Sequence, residues 1–258
     1  MAGVFSPAFA CVNIERVWRA WAKRVGARRF VLGVSGGKDS TVVAYLASRI
    51  FGPENVVGVM MPNGDQADID DSREVVALTG IRGVECNVGG AFDAISSEVR
   101  RGLNDFGENA RVNLPPRLRM ATLYAVAQTW GAFVLNTDNL SERVCGYFTM
   151  WGDGAGDFAP LRGLTATEVV SLGEWMGVPD RLIHKKPGDG LQAQGDEERL
   201  GFTYAVLDDF IRGGSCTPET ESRIMERFER NRFKVQAVSV AGPKFGFMKR
   251  RREFALPC

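Results

Sequence analysis

The chain has 258 residues, 45% of them hydrophobic and 24% charged, with a formal net charge of +1. That length holds one large α/β domain or two small ones, and the near-neutral balance removes the electrostatic case for nucleic acid or a membrane surface as the main partner. Five cysteines (Cys11, Cys86, Cys145, Cys216, Cys258), odd in number and without Cys-x-x-Cys spacing, argue for free thiols in a reducing compartment and against a disulfide frame or zinc site. No apolar run approaches a membrane span and the N-terminus lacks a signal-peptide pattern, so the chain reads as cytoplasmic.

In chain order, residues 1–10 read as a lead-in. Apolar residues at 14, 17, 18, 21 and 25 then predict an amphipathic helix, with Trp18 and Trp21 as core rather than as a ligand platform. A strand over Val31–Val34 runs into a glycine turn and a helix from Thr41. Val56–Met61 is a second strand. The acids between Asp65 and Asp71 open a helix to Thr79 capped by Gly80, and dipole stabilisation explains them better than metal binding. Val84–Val88 is the third strand, followed by a helix over Phe92–Leu103. Pro116 starts the next helix, on which Arg117 and Arg119 cannot share a face, so at most one points at a ligand. Ala132–Asn136 is the fourth strand.

The alternation predicts a doubly wound parallel β-sheet with helices on both faces, within a single domain spanning 1–258. Residues 137–158 lack periodicity yet carry aromatics at 147, 148, 151 and 158, which favours a functional loop over disorder. Helices follow from Thr165 to Met176, Tyr204 to Ile211 and Glu219 to Phe233, with a polar loop around Pro187–Leu191. The basic tail Lys244–Arg252 reads as solvated or subunit-facing. The only histidine, His184, has no partner motif and reads as structural or exposed.

The glycine turn carries the strongest chemical signal. Gly36 and Gly37 permit left-handed angles and a close ligand approach, and the first N–H groups of the following helix favour an anion. Ser35 and Ser40 add hydroxyls, and Asp39 beside a phosphate site makes sense if a divalent cation lies between them. The P-loop pattern fails, because Leu32 stands at its first glycine and Asp39 at its hydroxyl; the dinucleotide fingerprint fails as well.

Ser35-Gly36-Gly37-Lys38-Asp39-Ser40 resembles the loop of the PP-loop ATP pyrophosphatases. Taken with Asn113–Met120, Asn136–Glu142, Gly146–Thr149 continuing to Asp157, and the weaker Asp196–Tyr204, it is similar to the ammonia-dependent NAD synthetases. The resemblance implies an adenine nucleotide α-hydrolase-like fold and a homodimer. It implies that deamido-NAD, ATP and ammonia become NAD, AMP and pyrophosphate through an adenylate, with magnesium. It places ATP on Gly33, Val34, Ser35, Gly36, Gly37, Lys38, Asp39, Ser40 and Thr137, with Ser35, Lys38 and Asp39 closest to the reaction. It places magnesium on Asp39 and Glu142, and deamido-NAD on Arg117, Asp157 and Lys234. With no glutaminase segment in the sequence, free ammonia or a separate donor supplies the nitrogen.

Several positions depart from the family's usual pattern. Met150 stands where a lysine touching the dinucleotide is usual, Ala166 replaces a lysine near the ATP phosphates, Gly188 replaces a hydroxyl residue, and Phe233-Lys234 replaces a His-Lys pair. Lys38, Lys185, Lys186 and Lys234 are candidates to compensate. A related enzyme adenylating another carboxylate and a non-catalytic nucleotide-binding relative are the alternatives.

Overall fold

The computed structural model describes residues 5–185 and 196–236. Gly188, Lys186, most of the loop around Pro187–Leu191 and the tail Lys244–Arg252, all singled out from the sequence, lie outside the described residues.

Four strands, β1 (Phe30–Gly33), β2 (Val56–Met60), β3 (Arg82–Glu85) and β4 (Phe133–Leu135), form a parallel sheet in the order β3-β2-β1-β4. The helices are α1 (Pro7–Val25), α2 (Lys38–Phe51), α3 (Ile69–Thr79), α4 (Gly89–Leu103), α5 (Glu108–Trp130) and α6 (Leu140–Cys145), then α7 (Ala166–Trp175), α8 (Asp180–Ile183), α9 (Asp196–Leu200), α10 (Tyr204–Ile211) and α11 (Pro218–Asn231). None of the described helices is long and apolar enough to cross a membrane. Cys11, Cys86, Cys145 and Cys216 are free thiols.

Successive residues of a strand face opposite sides of a sheet. Phe30 and Leu32 accordingly join Trp18, Leu46, Ile50 and Leu172 in one core, while Val31, Val57, Val59 and Val134 join Ala127 and Leu123 of α5 in another. Both faces are buried, as a parallel sheet requires. Trp18 is fully buried between Phe30, Phe51 and Phe158, with ring centroids 5.2–5.4 Å away, which fits core packing.

Several boundaries differ from the sequence reading, and three show a clear cause. Helix α1 begins at Pro7 rather than after residue 10, because the Ser6 hydroxyl accepts from Phe9 N–H and proline suits a first helical position. Strand β3 begins at Arg82, two residues early; it is an edge strand whose exposed side chains lack an apolar run to mark its start. Helix α5 begins at Glu108 and continues through Pro115 and Pro116, which leaves the carbonyls of Arg111 and Val112 without their usual donors. Packing of α5 on β1 and β4 outweighs that local cost.

Helix α7 starts where the sequence places it. Thr165 accepts from Glu168 N–H while Glu168 accepts from Thr165 N–H, a capping box that Arg212 reinforces through Glu168. Thr165→Ala is expected to cost about 1 kcal/mol and to lower the melting temperature by ~2–4 °C. An unchanged thermal melt would contradict this role.

Candidate active site

A cavity of about 340 Å³ opens at the carboxyl ends of the strands, lined by the loop after β1, Met61 after β2, Thr137 and Asp138 after β4, and Pro116 and Arg119 of α5. From β1 the chain moves to β2 on one side, and β4 returns on the other. This is the topological switch point of the sheet, where a crevice forms because neighbouring loops leave in opposite directions.

The loop is held from within. Ser40 Oγ accepts from Ser35 N–H at 3.2 Å, lies 3.0 Å from Ser35 Oγ and donates to Gly37 O at 3.1 Å. Thr41 Oγ1 donates to the same carbonyl at 2.8 Å. Gly36 adopts φ 73°, and a Cβ there would lie 2.6 Å from Asp71 Cβ, so this position requires glycine. No side chain caps α2 at Gly37, which leaves the helix's first N–H groups to a ligand.

Behind the loop, Asn139 joins the two candidate metal carboxylates. Its Nδ2 donates to Asp39 Oδ1 at 3.0 Å, its Oδ1 accepts from Glu142 N–H, and Glu142 Oε2 accepts from Asn139 N–H, each at 3.0 Å. The Asn139-Leu140-Ser141 triplet is thus a helix cap that aims Glu142 toward Asp39. Asp39 also pairs with Lys38. Burial and the neighbouring Asp39 charge raise the Glu142 carboxyl well above its ordinary range. Two hard carboxylates whose repulsion a cation would relieve, facing a phosphate loop, fit magnesium, which takes one or two carboxylates plus phosphate oxygens and water. The described residues hold no group of three or more His, Cys, Asp or Glu suited to a metal.

The same cavity is also lined by Asp138 and Asp153. Asp138 is buried, its Oδ2 makes no hydrogen bond, and Arg143 lies 3.6 Å from that oxygen. Burial, then the nearby Asp153 charge, pushes its carboxyl up to about 7, against the hydrogen bond at Asn136 and the charges of Arg143 and Arg162. At the cavity's outer side, Lys185 Nζ sits 2.6 Å from Asp68 and 2.7 Å from Asp71. Burial opposes the charge on Lys185, but the two carboxylates outweigh it and raise its pKa. The acids at the start of α3 therefore serve a tertiary clamp as well as the helix dipole.

Of the residues expected to hold ATP and metal, Gly33, Val34, Ser35, Gly37, Lys38, Asp39, Ser40, Thr137 and Glu142 line this one cavity. The three expected at deamido-NAD lie elsewhere. Arg117 is bonded to Met150 O at 3.4 Å, Asp157 accepts from Val134 N–H and the Tyr124 hydroxyl, and Lys234 donates to the carbonyls of Gly146 and Phe148. Arg119, two residues from Arg117, lines the cavity. Met150 borders a second cavity, and Ala166 is buried with its N–H donated to Ser141 Oγ. His184 is half-exposed beside Glu174 and Asp180, away from the site.

Asp138, Asn139 and Asp153 escaped the sequence reading; Arg119 enters it only as the alternative to Arg117, and Lys185 only as one of four lysines that could compensate. Only Asn139 carried a usable signal, the Asn-x-x-Glu spacing of a capping box.

Comparison with known proteins agrees with this geometry. The NAD synthase family model matches residues 11–241. The chain is 40% identical over 199 residues to the NH(3)-dependent NAD(+) synthetase of Pyrococcus horikoshii, covering 77% of this chain and 76% of that protein. It is 38% identical over 228 residues to the enzyme of the same description from Alkaliphilus metalliredigens, covering 84% and 92%. The solved structure of NMN synthetase from Francisella tularensis superimposes with a TM-score of 0.85 at 32% identity, over 93% of this chain and 100% of that one. The chain therefore belongs to the NAD synthase family.

Proposed function

We propose that the protein amidates deamido-NAD with ammonia, at the expense of ATP, giving NAD, AMP and pyrophosphate. The observation that carries this reading is the convergence of Ser35–Ser40 and Glu142, through Asn139, on a single cavity at the switch point.

In the first half-reaction an oxygen of the pyridine carboxylate attacks the α-phosphorus of ATP and the bond to pyrophosphate breaks. The nucleophile is already an anion, so no base is needed. The N-terminus of α2, the Ser35 and Ser40 hydroxyls and Thr137 bind the phosphates and hold the reacting atoms in line. Asp39 and Glu142 would hold magnesium, which supplies charge neutralisation for the departing pyrophosphate when bound. In the second half-reaction ammonia attacks the activated carbonyl and AMP departs with the original carboxylate oxygen. Ammonia arrives largely as ammonium and must shed a proton, and we assign that proton to Asp138, a cavity residue whose carboxyl burial raises toward neutrality. Water must stay out, since it would hydrolyse the adenylate.

The same reading includes a homodimer in the cytoplasm that uses free ammonia or a separate donor, with Arg117, Asp157 and Lys234 toward the dinucleotide. A second acceptor, nicotinate mononucleotide, is favoured by one observation, the 0.85 TM-score with an NMN synthetase. Acceptor labelled with ¹⁸O in its carboxylate tests the route. One label is expected in AMP, and label confined to pyrophosphate or to the acceptor would overturn the adenylate.

A further inference from the structure

We propose that Asp208, on α10, is a positioning residue of the reaction: by holding Ser141 it fixes Glu142 at the distance from Asp39 that a shared cation requires. The inference rests on the amidation reading for the role of that cation. It gives a purpose to a buried carboxylate that lines neither cavity described above.

Asp208 is 4% exposed and accepts two hydrogen bonds. One oxygen takes the Ser141 hydroxyl, and the other takes Thr167 N–H at 2.7 Å, in the first turn of α7. Ser141 Oγ in turn accepts from Ala166 N–H at 2.9 Å. The carboxylate thus joins α6, α7 and α10 in one knot, and its charge suits the N–H groups that begin α7. Arg212, four residues after Asp208, ties the end of α10 to Glu168 of the same helix α7.

The reason for such a knot lies in α6. Its six residues are too few to stabilise a helix alone, so its place is set by contacts with its surroundings. It carries Glu142 directly after Ser141, and its cap Asn139 grips Asp39 at 3.0 Å. Two carboxylates facing one cavity repel each other, and a short helix yields to that push unless it is anchored. The Ser141 hydroxyl, fully buried and one residue before Glu142, is such an anchor.

The same helix α10 reaches the other carboxylate as well. Tyr204 lies four residues before Asp208 and so on the same face. Its ring centroid lies 5.7 Å from Lys38 Nζ, and Lys38 is paired with Asp39. One face of α10 therefore supports a sequence neighbour of each carboxylate, Lys38 beside Asp39 and Ser141 beside Glu142. Partners behind a metal's ligands change its affinity by about 10- to 100-fold when removed.

The test measures metal binding apart from turnover. The full-length protein and its Asp208→Ala, Asp208→Asn and Ser141→Ala variants are saturated with an ATP analogue whose α,β-bridging oxygen is a methylene. Manganese is titrated in and its free form is followed by electron paramagnetic resonance. Asp208→Ala is expected to weaken manganese about 10-fold, with affinity for the metal-free analogue within about twofold of the parent. Asp208→Asn, able to accept from Thr167 N–H and to donate to Ser141 Oγ, should recover part of the loss. The magnesium concentration that half-saturates AMP formation should rise in the same order, with KM for deamido-NAD unchanged. If Asp208→Ala melts early, Ser141→Ala carries the same expectation, since it cuts the link beside Glu142. Manganese affinity equal to the parent's in a folded variant would overturn the proposal. An equal loss of metal-free analogue binding, the mark of general loosening, would overturn it too. A parent protein that binds manganese and the analogue but forms no AMP from deamido-NAD would overturn the amidation reading instead.

Discussion

Asp39→Asn is expected to lower the rate of AMP formation by about 10²–10³-fold while leaving the protein folded, as loss of one aimed electrostatic group at a reacting centre does. Asp39 stands in the first turn of α2, in the wall of the cavity, and its two oxygens hold Lys38 and Asn139. Asparagine keeps an oxygen to accept from Asn139, so the tie to Glu142 can survive. The charge does not survive. Lys38 loses its carboxylate, and the proposed magnesium pair is reduced to Glu142 alone. Chromatographic quantitation of AMP, with a thermal melt to confirm folding, checks this. A loss smaller than tenfold in a folded variant would remove Asp39 from the reacting centre.

A second large effect concerns Asp138 and appears in stability rather than rate. Its carboxyl moves from an ordinary 3.8 to about 7 in the folded protein, chiefly because it is buried. A raised carboxyl binds its proton more tightly when folded. Its contribution is therefore fully present below the unfolded pKa and is lost as pH rises through the folded one. A change of this size corresponds to ~4 kcal/mol as an upper bound, since water entry and side-chain movement relax part of it. In Asp138→Asn that titration is absent. Chemical denaturation of both proteins at pH 4, 6 and 8 should give a stability gap in favour of the variant that is smallest at pH 4, widens to pH 7 and then levels. A gap that stays constant over that range would show that Asp138 does not titrate as its burial requires.

The parts legible in the sequence are those whose cause is local. The strand–turn–helix of residues 31–46 announces itself through its own glycines and hydroxyls, and the alternation of apolar runs with helical spacing gives the parallel sheet. Thr137 and Glu142 were placed by resemblance, and both line the cavity with the loop. What escaped depends on contacts distant in sequence. Arg119 rather than Arg117 lines the cavity, because the way α5 docks on β1 and β4 decides which side of the helix faces the site. Lys185 meets Asp68 and Asp71 across more than a hundred positions, which no spacing rule can register. Arg143 and Arg162 likewise look like ordinary surface charges until α6 and the turn before α7 bring them to one cavity.

The most direct measurement is the stoichiometry of one reaction. The protein is incubated with ATP, deamido-NAD, ammonium and magnesium, and all nucleotides are separated. The proposed function predicts AMP and NAD in equal amounts, with pyrophosphate and no ADP. Formation of ADP, or no AMP across a range of magnesium and ammonium concentrations, would contradict it.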